Sequence, residues 1–334
     1  MKAGIVVGGA FGDEGKGKII AYLAVKDKVN ITARGGVGPN AGHTVIENNR
    51  IHKVRLIPSA FVNTSSRLLI GSGVLVNPDV FFNEVSRLHI EVRVGIDSQC
   101  AIIEEKHLIQ DKEDHLRDKI GTTGTGTGPA NSDRVLRLAK LAKEVPSLKE
   151  FVTDVSLEVN KALEDDKKVL IEGTQGTFLS LYHGTYPFVT SKDVTAAAIC
   201  ADIGIGPTKI GEVTMVLKGF FTRVGEGPLE NELSVEESNK RGWNEIGTVT
   251  GRSRRSAPFN MDLAIRACML NGATQIALTK LDVIFKESAG LKNFEELPND
   301  AKRFIQEIED KTHVPVTLIG TGASIEEIID RRDV

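Results

Sequence analysis

Apolar runs of strand length recur along the chain and alternate with segments whose hydrophobic positions repeat every three or four residues. The runs are "GIVVGG" (4–9), "VNITAR" (29–34), "RLLIGSG" (67–73), "KVLIEG" (168–173), "VTMVLKGFF" (213–221), "QIALTKLD" (275–282) and "VPVTLIGTG" (314–322). Helical periodicity covers 16–28, 77–89, 261–272 and 299–311. Buried strands alternating with amphipathic helices predict an α/β fold with a largely parallel central sheet flanked by helices. Several runs end in Gly, and ligands of such sheets bind outside the carboxyl ends of the strands. There is no repeat and no Pro-rich linker, so 1–334 reads as a single domain, with the polar, helix-like stretch 131–166 as an insertion between strands.

Composition narrows the function classes. Apolar residues make up 40% and charged ones 26% of 334 residues, ordinary for a globular chain. The net charge of −3 supplies no global basic field for nucleic acid or an anionic membrane, so an anion site must be a local cluster. Cys100, Cys200 and Cys268 are too few and too scattered for a disulfide framework or a Cys-rich zinc site. No apolar stretch approaches the ~18 residues of a membrane span. The amino-terminal apolar run is short and leads straight into Asp13 and Glu14, unlike a signal peptide. A cytoplasmic setting is expected.

The first candidate chemistry lies in "GDEGKGKII", Gly12 to Ile20. Gly12, four residues, Gly17 and Lys18 match a phosphate-binding P-loop, but Ile19 stands where the Mg²⁺-holding hydroxyl belongs. The stretch reads as a damaged P-loop, an ordinary turn, or a loop in which Asp13 offers the metal a carboxylate instead. "TKLD" (279–282) ends an apolar run, and its Asp could accept from the N1–H and N2 amino edge of guanine. Its spacing is that of the Asn-Lys-x-Asp element of GTP-binding proteins, with Thr in place of Asn, and Lys-x-Asp at a strand end is also a common chance match. His43 in "NAGHT" (40–44) sits in a glycine-rich polar loop suited to an acid or a phosphate donor. "GTTGTGTGPA" (121–130) is either a flexible linker or a phosphate-wrapping loop leading into a helix. "TGRSRR" (250–255) offers planar forks to carboxylates or phosphates; the acidic balance and 5% aromatic content speak against nucleic acid.

With "LIPS" (56–59), "EGTQGTFL" (172–179), "HGTYPFVTS" (183–191), "TRVGEGP" (222–228) and "LTKLDV" (278–283), these blocks resemble the adenylosuccinate synthetase family, in family order from one end of the chain to the other. The resemblance implies GTP-dependent ligation of IMP and L-aspartate through 6-phosphoryl-IMP, with Mg²⁺ as cofactor and GTP as co-substrate. It implies Asp13 as base at N1 of IMP and as a metal ligand with the Gly42 carbonyl, His43 as acid, and Lys16 and Gln175 in the catalytic set. For GTP it implies Gly12 through Lys18 (Asp13, Glu14, Gly15, Lys16 and Gly17 between them), Gly42, His43, Thr44, Arg254, Lys280, Leu281, Asp282, Gly320, Thr321 and Gly322. For IMP it implies Asp13, Glu14, Gly15, Lys16, Asn40, Ala41, Gly42, His43, Thr123, Gln175, Thr190, Val224 and Arg252, with Arg137 reaching the neighbouring subunit's IMP in a homodimer. For aspartate it implies Thr248, Val249, Thr250, Gly251, Arg252, Ser253 and Arg254. The chain departs from the family pattern in being shorter between Arg137 and Glu172 and after Asp282. It also carries extra residues before Asn40, and has Gly320 where a hydroxyl is usual and Ser253 where Arg is frequent. Other readings are a different GTP-dependent ligase or kinase on the same scaffold, or a nucleotide-binding regulator without turnover.

Overall fold

The computed structural model describes residues 1–113, 115–245, 251 and 253–332. All seven apolar runs form strands of one ten-stranded sheet. In chain order its strands are β1 (Ala3–Gly8), β2 (Ile31–Arg34), β3 (Arg67–Ile70), β4 (Val94–Asp97), β5 (Val152–Thr153), β6 (Val169–Glu172), β7 (Ile210–Lys218), β8 (Gln275–Thr279), β9 (Val316–Gly320) and β10 (Ile328–Asp330). The spatial order is β10-β9-β8-β7-β1-β6-β2-β3-β4-β5. Every neighbouring pair is parallel except β9 with β10. The expected α/β fold with a largely parallel central sheet is therefore observed.

Apolar side chains alternate to the two faces of the sheet and form two large cores. Ile5, Val7, Ile171, Met215 and Ile276 belong to one, and Val6, Leu170, Val216, Ala277 and Leu318 to the other. Helix α1 (Lys16–Lys26) buries Ile19, Ile20 and Leu23 in the second core, and Met261–Asn271 and Asn299–Thr312 cover the first. The run 213–221 is not one strand. It stops at Lys218, and Phe220–Arg223 turns away to pair antiparallel with Arg255–Pro258. Gly219 makes that break possible, because a Cβ there would lie 2.0 Å from Ile284 Cδ1. The stretch 131–166, expected as an insertion, also supplies the sheet edge, since β5 pairs parallel with β4. Among the described residues no helix is long and apolar enough to cross a membrane.

Candidate active site

The carboxyl ends of β1, β2, β6, β7 and β8 converge on one cavity of about 720 Å³. Between β1 and α1 the loop reverses direction on Gly12 (φ 86°), Asp13 (φ 60°) and Gly15 (φ 94°). Asp13 is an L-residue held in left-handed backbone, as are Gln175 (φ 54°) and Lys280 (φ 62°), and all three line the cavity. Such conformations cost roughly 1–3 kcal/mol each and persist where the surroundings enforce them. No side chain caps the N-terminus of α1, which leaves that end of the helix open to an anion.

The loop's two acids have separate environments. Glu14 is 1% exposed, and its Oε1 accepts from Ala10 N at 3.0 Å and Gly12 N at 2.8 Å, while Oε2 lies 2.6 Å from Lys16 Nζ. A Cβ on Gly176 would meet Oε1 at 2.3 Å, so a glycine is needed there to admit the carboxylate. The Glu14 carboxylate and the Gly12 N–H are thus spent on the loop itself, and Glu14 can meet a ligand only through its main chain. Asp13 faces the cavity and lies 2.8 Å from Arg254 Nε. Burial raises its pKa above the ordinary carboxylate value, and Arg254, Lys218 and Lys16 oppose that rise.

The two loop lysines expected at phosphate, Lys16 and Lys18, both have partners within the chain. Lys16 is held by Glu14. Lys18 donates to the carbonyls of Gly322 at 2.7 Å and Glu327 at 2.8 Å, tying α1 to the segment after β9, and burial lowers its pKa to about 8. Lys18 therefore acts as a strut between α1 and the segment after β9. A Cβ on Gly320 would lie 3.2 Å from the Lys18 ammonium, a close approach.

His43 leads from the glycine-rich loop into a hairpin (His43–Glu47 with Arg50–Val54) and packs beside α1, where a Cβ on Gly17 would approach His43 Cβ to 2.8 Å. Its Nδ1 is hydrogen-bonded to Glu172 Oε1, the same oxygen that accepts from Arg34 Nη1 at 2.8 Å and Ser59 Oγ at 2.9 Å. Arg34 and Glu172 face each other at the ends of β2 and β6, both fully buried. Burial and Arg34, against the pull of Glu172, lower the His43 pKa to about 4. These surroundings favour the neutral imidazole.

Across the cavity, Thr279 Oγ1 donates to Glu14 O at 2.6 Å and so joins the end of β8 to the phosphate loop. Lys280 lines the cavity, whereas Leu281 is fully buried and offers a ligand only main chain. Asp282 keeps Oδ1 buried without a hydrogen-bond partner, and burial raises its pKa. Thr321 is fully buried, and its hydroxyl donates to Leu291 O at 2.8 Å. Gly322 lines the cavity; Gly320 and Thr321 do not.

Asn40, Ala41, Gly42, Thr44, Thr123, Gln175, Thr190 and Val224 all reach the cavity wall. Asn40 Nδ2 donates to Thr190 Oγ1 at 3.3 Å while its Oδ1 is buried without a partner. Gln175 Oε1 accepts from the Thr174 hydroxyl, which fixes the orientation of the amide. The Gly-rich segment 121–130 is a loop into a helix, Thr127–Leu136, and Asp111 closes it by accepting from Gly126 N at 2.7 Å and Thr122 Oγ1 at 2.9 Å. Arg137, by contrast, is exposed at the far end of that helix and away from this cavity. Gly251 and Ser253 are exposed and outside the cavity wall, and Thr248, Val249, Thr250 and Arg252 lie outside the described residues.

Sequence reasoning missed Arg34, Asp111, Glu172, Lys218 and Glu245. A signal existed for three of them: Arg34, Glu172 and Lys218 are charged residues closing otherwise apolar runs, and a charge at the end of a buried strand needs a partner. Glu245 and Asp111 lie in polar stretches where nothing distinguishes them.

A glycine-rich loop leading from β1 into the uncapped N-terminus of α1, at the carboxyl edge of a parallel sheet, is the arrangement of a nucleotide-binding α/β protein. The comparisons with known proteins narrow this class. The adenylosuccinate synthetase family model matches residues 5–145 and 136–288. Among curated relatives, the adenylosuccinate synthetase of Methanocaldococcus jannaschii is 56% identical over 333 residues, covering 98% of this chain and 96% of that protein. That of Pyrococcus horikoshii is 55% identical over 337 residues, covering 100% and 99%. The solved structure of fully ligated adenylosuccinate synthetase from Plasmodium falciparum superposes with a TM-score of 0.92 at 25% identity, covering 99% of this chain and 100% of that one. The chain belongs to the adenylosuccinate synthetase family.

Proposed function

We propose that the chain uses the γ-phosphate of GTP to join IMP and L-aspartate, giving adenylosuccinate, GDP and phosphate through 6-phosphoryl-IMP. The observation that carries this reading is the juxtaposition, in one cavity, of an open helix N-terminus behind the phosphate loop and Asp13 held on Arg254. Asp13 takes the proton from N1 of IMP, and the electron-rich O6 attacks the γ-phosphorus as the bond to GDP breaks. The amino group of aspartate then adds at C6, and phosphate leaves with the C6–O bond. Burial makes Asp13 the stronger base that this step needs, and Arg254 and Lys218 limit that rise.

His43 turns Nδ1 to Glu172, which leaves Nε2 for the phosphoryl group. The charge of an arriving triphosphate raises the imidazole pKa, and the imidazolium then donates to the transferring oxygens. Gly15, Lys16 and Gly17 hold phosphate; Asn40, Ala41, Thr123, Gln175, Thr190 and Val224 hold IMP. The Asp282 Oδ1 without a partner supports guanine recognition, since guanine brings two donors to that edge. Mg²⁺ would be held by Asp13 and the Gly42 carbonyl. Among the described residues no three His, Cys, Asp or Glu side chains gather around one point, which suits an ion that draws its remaining ligands from phosphate and water. When bound, it neutralises charge on the β- and γ-phosphates. Gly251, Ser253 and Arg254, with Thr248, Val249, Thr250 and Arg252, receive aspartate.

The chain works as a cytoplasmic homodimer in which Arg137 reaches the partner's IMP. Val135, Leu136 and Leu138, 64%, 61% and 66% exposed around Arg137, support a protein contact there. The decisive experiment is phosphate release with GTP, IMP, aspartate and Mg²⁺, omitting each in turn. Release that continues without IMP or without aspartate, or no release with all present, overturns the reading in favour of another kinase-like activity or a regulator.

A further inference from the structure

Neither Lys218 nor Glu245 has a substrate to hold in the proposed reaction, yet a chain of alternating charge connects them to Asp13. Lys218 ends β7 with its side chain 2% exposed. Its Nζ donates to Thr222 Oγ1 at 2.5 Å and to Glu245 Oε2 at 2.8 Å, and lies 4.8 Å from the centre of the Phe220 ring. The same Oε2 accepts from Arg254 Nη1 at 2.6 Å, and Arg254 Nε lies 2.8 Å from Asp13. Glu245 Oε1 is 3.2 Å from Lys280 Nζ.

Main chain and packing reinforce this chain. Arg254 N donates to Glu245 O at 2.8 Å. Trp243, two residues before Glu245, stacks on Phe220 at 4.7 Å with 10° between the rings, which seats the approach to Glu245 against the end of β7. A buried lysine requires a counter-charge, so Glu245 is fixed by Lys218 before any ligand arrives. Arg254 is thus hydrogen-bonded to Glu245 through Nη1, while its Nε meets Asp13 as an ion pair without an aligned hydrogen bond, so Glu245 is the carboxylate that sets its direction.

We infer that Lys218 and Glu245 are positioning residues for Arg254 and Lys280: Lys218 anchors Glu245, and Glu245 holds both cations where the nucleotide meets them. The inference rests on the GTP-dependent ligase reading. It differs from a competing arrangement in which Glu245 occupies the cations as a stand-in for phosphate and must be displaced, because removing the carboxylate would then tighten nucleotide binding.

The test uses the full chain and the variants Glu245→Gln, Lys218→Met and the double variant, with initial rates of phosphate release as GTP, aspartate and IMP are varied separately. Circular dichroism and thermal unfolding report the fold of each. Wild-type release that requires all three substrates is established first; its absence defeats the ligase reading itself. With that in hand, Glu245→Gln is expected to raise KM for GTP and for aspartate about tenfold to a hundredfold, while KM for IMP changes less than about twofold, because a misaimed fork loses its ligand without disturbing the opposite wall. Lys218→Met acts in the same direction, and the double variant is no worse than the worse single one, because both changes cut the same chain. Should Lys218→Met not fold, Glu245→Asp, which keeps the charge and shortens the reach, raises the same two KM values. Folded Glu245→Gln with wild-type or lowered KM for GTP overturns the inference, as do effects that multiply in a folded double variant.

Discussion

Glu14 Oε2 lies 2.6 Å from Lys16 Nζ inside the phosphate loop, and both side chains are almost wholly withdrawn from water, at 1% and 3% exposure. The pair divides the labour of the loop's acidic dipeptide. Glu14 builds the loop, and Asp13 is left to face the cavity. Replacing Glu14 by Ala removes the acceptor of two main-chain N–H groups and leaves a buried ammonium without its counter-charge. Losses of this kind typically reach ~3–5 kcal/mol. Urea unfolding of Glu14→Ala is expected to show that loss, and a stability within ~1 kcal/mol of wild type would remove Glu14 from this structural role.

Asp13 behaves in the opposite way. Its burial already penalises the charge, so Asp13→Asn is expected to leave the unfolding midpoint near that of wild type. Loss of a general base typically lowers the rate by ~10²–10⁴-fold. The combination of intact stability with a collapsed kcat is the signature to look for. Near-normal kcat refutes the base assignment.

Glu245 carries a pH signature. Burial alone pushes its carboxyl up, but Lys218, Lys280 and Arg254 outweigh that and hold it at about 2, against an ordinary value of 4.5. A folded-state pKa below the unfolded one stabilises the protein fully above the unfolded value, and the contribution fades as pH falls from 4.5 towards 2. The shift corresponds to ~3 kcal/mol. The stability difference between wild type and Glu245→Gln, measured by urea unfolding, is expected to be constant above about pH 5 and to close by about pH 2. A difference that does not change with pH contradicts the charged network.

On the proposed function, Asp282 selects the nucleotide. An ionised carboxylate only accepts, and adenine would set an unprotonated N1 against it. A buried unpaired group costs roughly 1–3 kcal/mol, which amounts to a preference of about tenfold to a hundredfold or so. Asp282→Asn is expected to lose activity with GTP and gain it with XTP, with KM for IMP and aspartate little changed. The ratio of kcat/KM for XTP to that for GTP must rise; a constant ratio makes "TKLD" merely the end of a core strand.

Arg137 tests the proposed sharing of a site between two subunits. It caps the helix Thr127–Leu136 in left-handed backbone (φ 64°), exposed and outside the cavity of its own chain. Arg137→Leu and Asp13→Asn are each expected to be inactive alone. Mixed, they form a dimer in which one site joins an intact Asp13 to an intact Arg137, so activity returns. No return despite demonstrated subunit exchange counts against sharing.

Much of this protein is local in origin. The seven apolar runs became strands because a buried parallel strand must be apolar on both faces, a property written in consecutive residues. The tight turn between β1 and α1 was legible for a similar reason: Gly12 and Gly15 mark reversed backbone, and the helical period resumes at once after them. Pairing was not local. That Glu14 is consumed by Lys16, that Lys18 serves the carbonyls of Gly322 and Glu327, and that Thr321 turns into the core depends on which residues chain reversal brings within reach. The Arg34–Glu172–His43 cluster joins residues up to 138 positions apart, and only the order of strands β2 and β6 in the sheet makes them neighbours. Composition and periodicity thus determined which segments are buried and where the chain turns. The tertiary structure decided which charge meets which, because a side chain's protonation and reach depend on the groups around it in space rather than along the chain.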